Sequence, residues 1–256
     1  PGNIWPDLKA WMGAPLGKTE GRAPRRYVQG RILGGGSWIN AMVANRGAPG
    51  DYDEWGAMGA EGWSWDAALP YFRKLERDVD FDGPYHGSDG PLPVRRIRAE
   101  RLSAFARAVT TTLEQRGFDR QRDQNAEWVD GLYVGAVAVS DDGERVPTAI
   151  AYLTRDVRAR KNLTIMTGQL AERLVLDNGR VIGAVVSPLS GGPSLPISAD
   201  EVIVSAGALH SPVLLMRSGI GPAEQLQRNG IDVVAARTGV GRNLHEHPTI
   251  SVSCYL

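Results

Sequence analysis

The stretch from Gly30 to Asn40, GRILGGGSWIN, gathers the residue types best suited to holding a ligand. Gly34, Gly35 and Gly36 strip the side chains from three successive backbone units. That serves a chain making a special turn, or one whose amides must lie against a flat ligand. Arg31 upstream carries a fork of donors that matches a phosphate, and the Asn40 amide downstream can donate to a ring oxygen. Together these favour a cofactor, with a glycine turn that holds no ligand as the alternative.

Other chemistry-bearing patterns are weaker. GAPLGKT, Gly13 to Thr19, ends like a phosphate-binding P-loop, but only three residues separate Gly13 from Gly17-Lys18-Thr19. The motif needs four, and Met12 stands where its first glycine belongs. His245-Glu246-His247 lacks the one-turn spacing that puts two histidines on one helix face, so no metal site is expected. Trp55, Trp63, Trp65 and Tyr71 read as packing residues, since no basic stripe interleaves them. Asn162-Leu163-Thr164 matches a glycosylation sequon, which matters only in a secreted protein.

The elements that would position these residues are read from changes in periodicity. Residues 1–62 show few periodic elements. Over residues 63–147, Ala68, Leu69, Phe72 and Leu75 after a Ser64 cap predict one helix. Leu102, Phe105, Ala106, Val109 and Leu113, closed by Gly117, predict another. Leu132–Val139 reads as a strand before an Asp142-Gly143 turn. Residues 148–256 hold β-rich runs at Leu163–Thr167, Leu170–Leu176, Val181–Ser187 and Val202–Ser205, with a hairpin turn at Asp177-Asn178-Gly179. A helix is expected from a Ser211 cap and Pro212 to Gly219. Ala206-Gly207 would then be a close strand-to-helix turn of the kind that approaches a nucleotide.

Composition sets the bounds. The 29 basic and 29 acidic side chains among 256 residues cancel, which argues against a nucleic-acid partner. Cys254 is the single cysteine, so neither an internal disulfide nor a cysteine-rich zinc site can form, which fits a reducing, cytoplasmic setting. No apolar run reaches the ~18 residues of a membrane span. The start at Pro1 and the alternating TISVSCYL at the other end, which reads as an unfinished strand, lead to the expectation of a piece of a longer polypeptide.

Three patterns in order carry a family resemblance. GRILGGGSWIN with NRGAPGDYDEW (Asn45 to Trp55), then GALHSPVLLMRSGIGP (Gly207 to Pro222), then GVGRNLHEHP (Gly239 to Pro248) resemble the glucose–methanol–choline flavin oxidoreductases. NLTIMTG (Asn162 to Gly168) lies between them in its expected place. The resemblance implies a mixed α/β fold: an FAD-binding domain with an inserted substrate-domain segment, both incomplete in this chain. Residues 1–62 would supply flavin-contacting loops, 63–147 a substrate or cap segment, and 148–256 the β-meander, final strand and following helix of the FAD domain.

It also implies FAD as cofactor. Arg31 and Gly34, Gly35 and Gly36 match the loop along the pyrophosphate and isoalloxazine, and Asn40, Ala41 and Val43 match contacts to the flavin ring. Ala171 matches a backbone contact to adenine, and Ala206 and Gly207 a turn beside the dinucleotide. The implied reaction oxidises a primary alcohol to an aldehyde: a histidine base takes the hydroxyl proton, hydride passes to flavin N5, and oxygen or another acceptor reoxidises the flavin.

Several positions depart from the family pattern. Ile39 stands where some relatives attach FAD through a histidine, so binding would be non-covalent. Gly36 replaces the commoner serine or threonine, Glu246 stands for aspartate, and Trp38 is bulky for its place. No G-x-G-x-x-G follows an N-terminal strand, which also argues against a nicotinamide dehydrogenase. His210, His245 and His247 do not match the family's catalytic histidine, so no catalytic residue is named. The expected partners are a small alcohol and the remaining segments of the same polypeptide. A non-catalytic FAD-fold binding module or partner subunit is the alternative.

Overall fold

The computed structural model of the chain describes residues 2–10 and 23–245. GAPLGKT, Glu246, His247 and Cys254 lie outside the described residues. The chain divides at Thr164/Ile165 into two compact units. Both mix helix and strand, in the expected class.

The first unit opens with a two-stranded antiparallel pair, β1 (Lys9–Ala10) and β2 (Arg25–Arg26). Helix α1 (Pro49–Ala57) begins on a proline, whose fixed φ suits a first turn. Helix α2 (Trp65–Leu75) follows Ser64, which occupies the cap position without a side-chain bond. The first amide is met instead by Asp53 Oδ1, which accepts from Trp65 N at 2.9 Å and ties α1 to α2. Tyr52 lies edge-on to Trp55 and Phe72 at 5.2 and 5.7 Å. The aromatics therefore pack on one another, but the core reading is corrected for Trp55, Trp63 and Tyr71, which stay exposed on the outside of the cluster.

Strands β3 (Glu76–Asp78) and β4 (Leu92–Arg96) pair in parallel, and β4 pairs antiparallel with β5 (Ala136–Val137). Helix α3 (Ala104–Gln115) is capped by Ser103, whose Oγ accepts from Ala106 N at 3.1 Å. The expected strand over Leu132–Val139 is cut to two residues because its ends serve other neighbours: Leu132 bridges Arg120, and Val139 bridges Arg145. Short helices α4 (Thr148–Ala151) and α5 (Arg155–Arg158) close the unit, whose core is Val94, Ala136, Val139, Ala149 and Ala151.

The second unit is built on an antiparallel meander of β6 (Gln169–Asp177), β7 (Arg180–Pro188) and β8 (Leu195–Ser198). Asp177 pairs with Arg180 across a two-residue turn, with Asn178 and Gly179 at φ 48° and 78°. Both central residues thus take the left-handed conformation of the tight hairpin turn that the sequence predicts. Neither Leu163–Thr167 nor Val202–Ser205 forms a strand: a ladder needs a partner, and among the described residues neither has one.

Helix α6 (Gly207–Arg217) starts four residues before the expected cap, so Ser211 and Pro212 lie inside it. Ser211 still closes an open amide, since its Oγ accepts from Ala206 N at 2.9 Å. Strand β9 (Ile220–Gly221), helix α7 (Ala223–Arg228) and strand β10 (Ala235–Ala236) follow, with β9 and β10 parallel. Buried Ser218 accepts from Leu174 N at 2.8 Å and donates to Leu214 O at 2.6 Å, fastening the end of α6 to β6. No described helix is long and apolar enough to cross a membrane.

Candidate cofactor-binding site

The glycine loop shows what each glycine is for. Gly34 has φ 93°, and a Cβ there would lie 2.9 Å from Ala149 Cβ, so its absence lets the loop close on α4. Gly35 has φ 54°, the left-handed region that favours glycine. Gly36 is different: its backbone is ordinary, it is exposed, and a Cβ there would meet nothing within 4 Å. The protein's own packing gives no reason for glycine at this position. An open backbone face beside a turn leaves room for a flat ligand to lie on the amides, with glycine or with the small serine or threonine commoner at this position, and in this the loop is compatible with FAD.

The loop continues as a single 3₁₀ turn, Gly35–Trp38, and its shape is held from more than 100 residues away. Ser37 Oγ donates to Gly34 O at 2.5 Å and accepts from Thr148 N at 3.1 Å. Arg145 Nη1 donates to Ser37 O at 3.0 Å and to Asn40 Oδ1 at 2.9 Å. Trp38 folds back, its indole N–H donating to Leu33 O at 2.8 Å, which answers how so bulky a residue fits here. A pocket of about 230 Å³ opens beside the loop, with Asn40, Val43 and Arg145 on its wall and Phe72 and Val94 among its apolar lining.

Of the residues singled out in the sequence, Arg31, Gly34, Gly35, Gly36, Asn40, Ala41 and Val43 lie along this one loop and its exit in the first unit. Asn40, Ala41 and Val43 are exposed. Arg31 rests over the Trp5 ring, its Cζ 5.6 Å from the centroid, and donates to Gly2 O at 3.4 Å. Ala171, Ala206 and Gly207 belong to the second unit. Ala171, on β6, pairs with Val186 of β7, and Gly207, at φ 84°, opens α6.

Beneath the loop's exit lies a buried polar network that sequence reasoning missed. Arg46 Nη2 meets Glu76 Oε1 at 2.6 Å, and its backbone N–H donates to Asn125 Oδ1 at 3.0 Å. Arg96 donates to Asp78 Oδ2 at 2.7 Å and also to Asp123. His86 sits between carboxylates: its Nε2 is 2.7 Å from Asp123 Oδ2, and its Nδ1 is 3.1 Å from Asp78 Oδ2 and 3.3 Å from Glu76 Oε1.

Burial alone would push the imidazole down, but the bonds to Asp123, Asp78 and Glu76 prevail and hold it at about 10. Burial would raise Asp78 and Asp123, and His86 and Arg96 instead pull both below the usual carboxylate range. Glu76, Asp78 and His86 could in type and spacing ligate a metal. Yet Arg46, Arg96 and the imidazolium already match the three carboxylates in charge, which favours a structural role for the cluster.

A glycine loop with an open face, carried on mixed helix-and-strand units, is compatible with the class of flavoprotein oxidoreductases. The chain belongs to the GMC oxidoreductase family, whose model matches residues 13–249. It is 46% identical over 251 residues to the 5-(hydroxymethyl)furfural oxidase of Methylovorus sp. (strain MP688), covering 97% of this chain and 46% of that protein. Its structure matches pyridoxine 4-oxidase from Mesorbium loti with a TM-score of 0.82 at 35% identity, over 92% of this chain and 45% of the other. It also matches an FAD-dependent oxidoreductase from Chaetomium thermophilum with a TM-score of 0.82 at 28% identity, over 91% and 41%. The chain thus spans a little under half the length of each of these proteins. The family and these structural neighbours are FAD-binding flavoproteins.

Proposed function

We propose that the protein is an FAD-dependent oxidoreductase that takes a primary alcohol to an aldehyde, with oxygen or another acceptor completing the cycle. The reading rests on family membership, and the observation that carries it is the open face at Gly36 beside a loop held rigid by Arg145 and Thr148. Arg31 and Gly34, Gly35 and Gly36 would run along the pyrophosphate and the ring system. Asn40, Ala41 and Val43 would touch the ring, Ala171 the adenine, and Ala206 and Gly207 the dinucleotide. Ile39 at the attachment position supports non-covalent binding.

When bound, the flavin supplies the hydride acceptor. The chain's own residues bind and orient it, and a donor held at Asn40 favours negative charge at the ring edge it faces. In this proposal residues 1–62 are flavin-contacting, 63–147 belong to the substrate side and 148–256 return to the FAD domain. The setting is cytoplasmic, and the partners are a small alcohol and the rest of a longer polypeptide.

The test is anaerobic titration of the purified intact protein with 5-hydroxymethylfurfural or a benzylic alcohol. The expected result is a flavin spectrum that bleaches on mixing; return of the colour in air would make oxygen the acceptor. A protein that is colourless and takes up no added FAD would overturn the assignment. Bound flavin that no alcohol reduces would instead favour a binding module without turnover.

A further inference from the structure

The Asn40 side chain is held in one orientation by two donors on one atom. Met42 N donates to Asn40 Oδ1 at 3.1 Å, and Arg145 Nη1 donates to the same oxygen at 2.9 Å. Two N–H groups facing one amide atom can be matched only by its oxygen, which removes the ambiguity of a carboxamide flip. A carbonyl oxygen has two acceptor sites, and both are used. Whatever lies against the Asn40 carboxamide is therefore offered its N–H donors and no free side-chain acceptor site.

Arg145 can do this because the same Nη1 is anchored on Ser37 O at 3.0 Å, while Val139 bridges the Arg145 backbone. The guanidinium thus ties Ser37 and Asn40, in the last part of the glycine loop, together from 105 residues beyond Asn40. Both Asn40 and Arg145 reach the wall of the pocket beside the loop.

We propose that Arg145 is a positioning residue that fixes the Asn40 carboxamide with its NH₂ outward as a hydrogen-bond donor to the electron-accepting ring. This rests on the reading of Asn40 as a ring contact. Without Arg145, Asn40 Oδ1 keeps only the Met42 amide, and the side chain is free to turn and present its oxygen to a ring edge that gains negative charge on reduction. The residue acts through Asn40, not by its own charge.

A double-mutant cycle on the flavin-loaded intact protein separates the two routes. Sulfite affinity of the bound flavin is the readout, since the adduct places negative charge on the ring without turnover. The expected outcome is that Asn40→Ala and Arg145→Met each weaken sulfite binding roughly tenfold, the scale of one charge-assisted hydrogen bond. On the Asn40→Ala background, Arg145→Met should then add nothing.

A full additional loss in the double variant would overturn the proposal, because Arg145 would then act independently of Asn40. So would Asn40→Ala lowering affinity while Arg145→Met leaves it unchanged, with the ring-contact reading intact. No effect of Asn40→Ala would remove both the proposal and that reading. Should Arg145→Met not load FAD, Arg145→Lys, which keeps the charge on one donor nitrogen and loses the planar fork, carries the same cycle: a smaller loss that vanishes on the Asn40→Ala background is expected, and one that persists overturns the proposal.

Discussion

His86 is 3% exposed and is surrounded by three carboxylates, and its proton belongs to the folded state. Its folded value of about 10 lies above the ordinary 6.5, so its stabilisation is present in full below about pH 6.5 and is lost as pH rises through 10. Asp78 and Asp123 are depressed and act in the opposite sense, stabilising above their ordinary range and losing that effect as pH falls. The urea midpoint of the intact protein should therefore be highest in the weakly acidic range, between about pH 5 and 6.5, and fall through neutrality to the alkaline side. His86→Gln should flatten the alkaline fall while lowering the neutral value. An alkaline fall of equal size in the variant would assign it to other groups. For Glu76→Gln, which leaves buried Arg46 without its carboxylate, the expected cost is about 3–5 kcal/mol at neutral pH.

Among the elements, two serines in similar sequence settings differ in what they do. Ser103 caps α3 through its hydroxyl, whereas Ser64 precedes α2 without a side-chain bond and Asp53 serves that helix from α1. Ser103→Ala and Asp53→Ala should each lose about 1 kcal/mol in denaturant unfolding, and Ser64→Ala should stay within about 0.5 kcal/mol. Equal losses at Ser64 and Asp53 would contradict the assignment.

The contrast also marks how far the sequence was legible. The Asn178-Gly179 hairpin and the bodies of α2 and α3 follow from neighbours within a few residues, and periodicity reads them correctly. The start of α6, the shortness of β5 and the lack of a strand partner for Val202–Ser205 among the described residues depend on the rest of the chain, which periodicity does not see. At the site, the glycines and Asn40 stood out by residue type. Arg145 is one arginine among many, until the fold brings it across 105 residues to Asn40. His86 gave no signal either, because its carboxylate partners come from β3 and from Asp123, well apart in sequence.

On the scale of the whole molecule, two compact units each carry part of the expected cofactor set, Arg31 through Val43 in the first and Ala171, Ala206 and Gly207 in the second. The reading of the glycine loop as the flavin contact depends most on the open face at Gly36 being covered by the cofactor. Gly36→Leu tests it with a side chain whose Cβ has open space around it and sits on ordinary backbone. Flavin absorbance per purified protein should drop at least tenfold, while the unfolding midpoint measured after FAD is stripped from both proteins stays within about 0.5 kcal/mol of the parent. A Gly36→Leu protein that retains its full complement of FAD would contradict the claim.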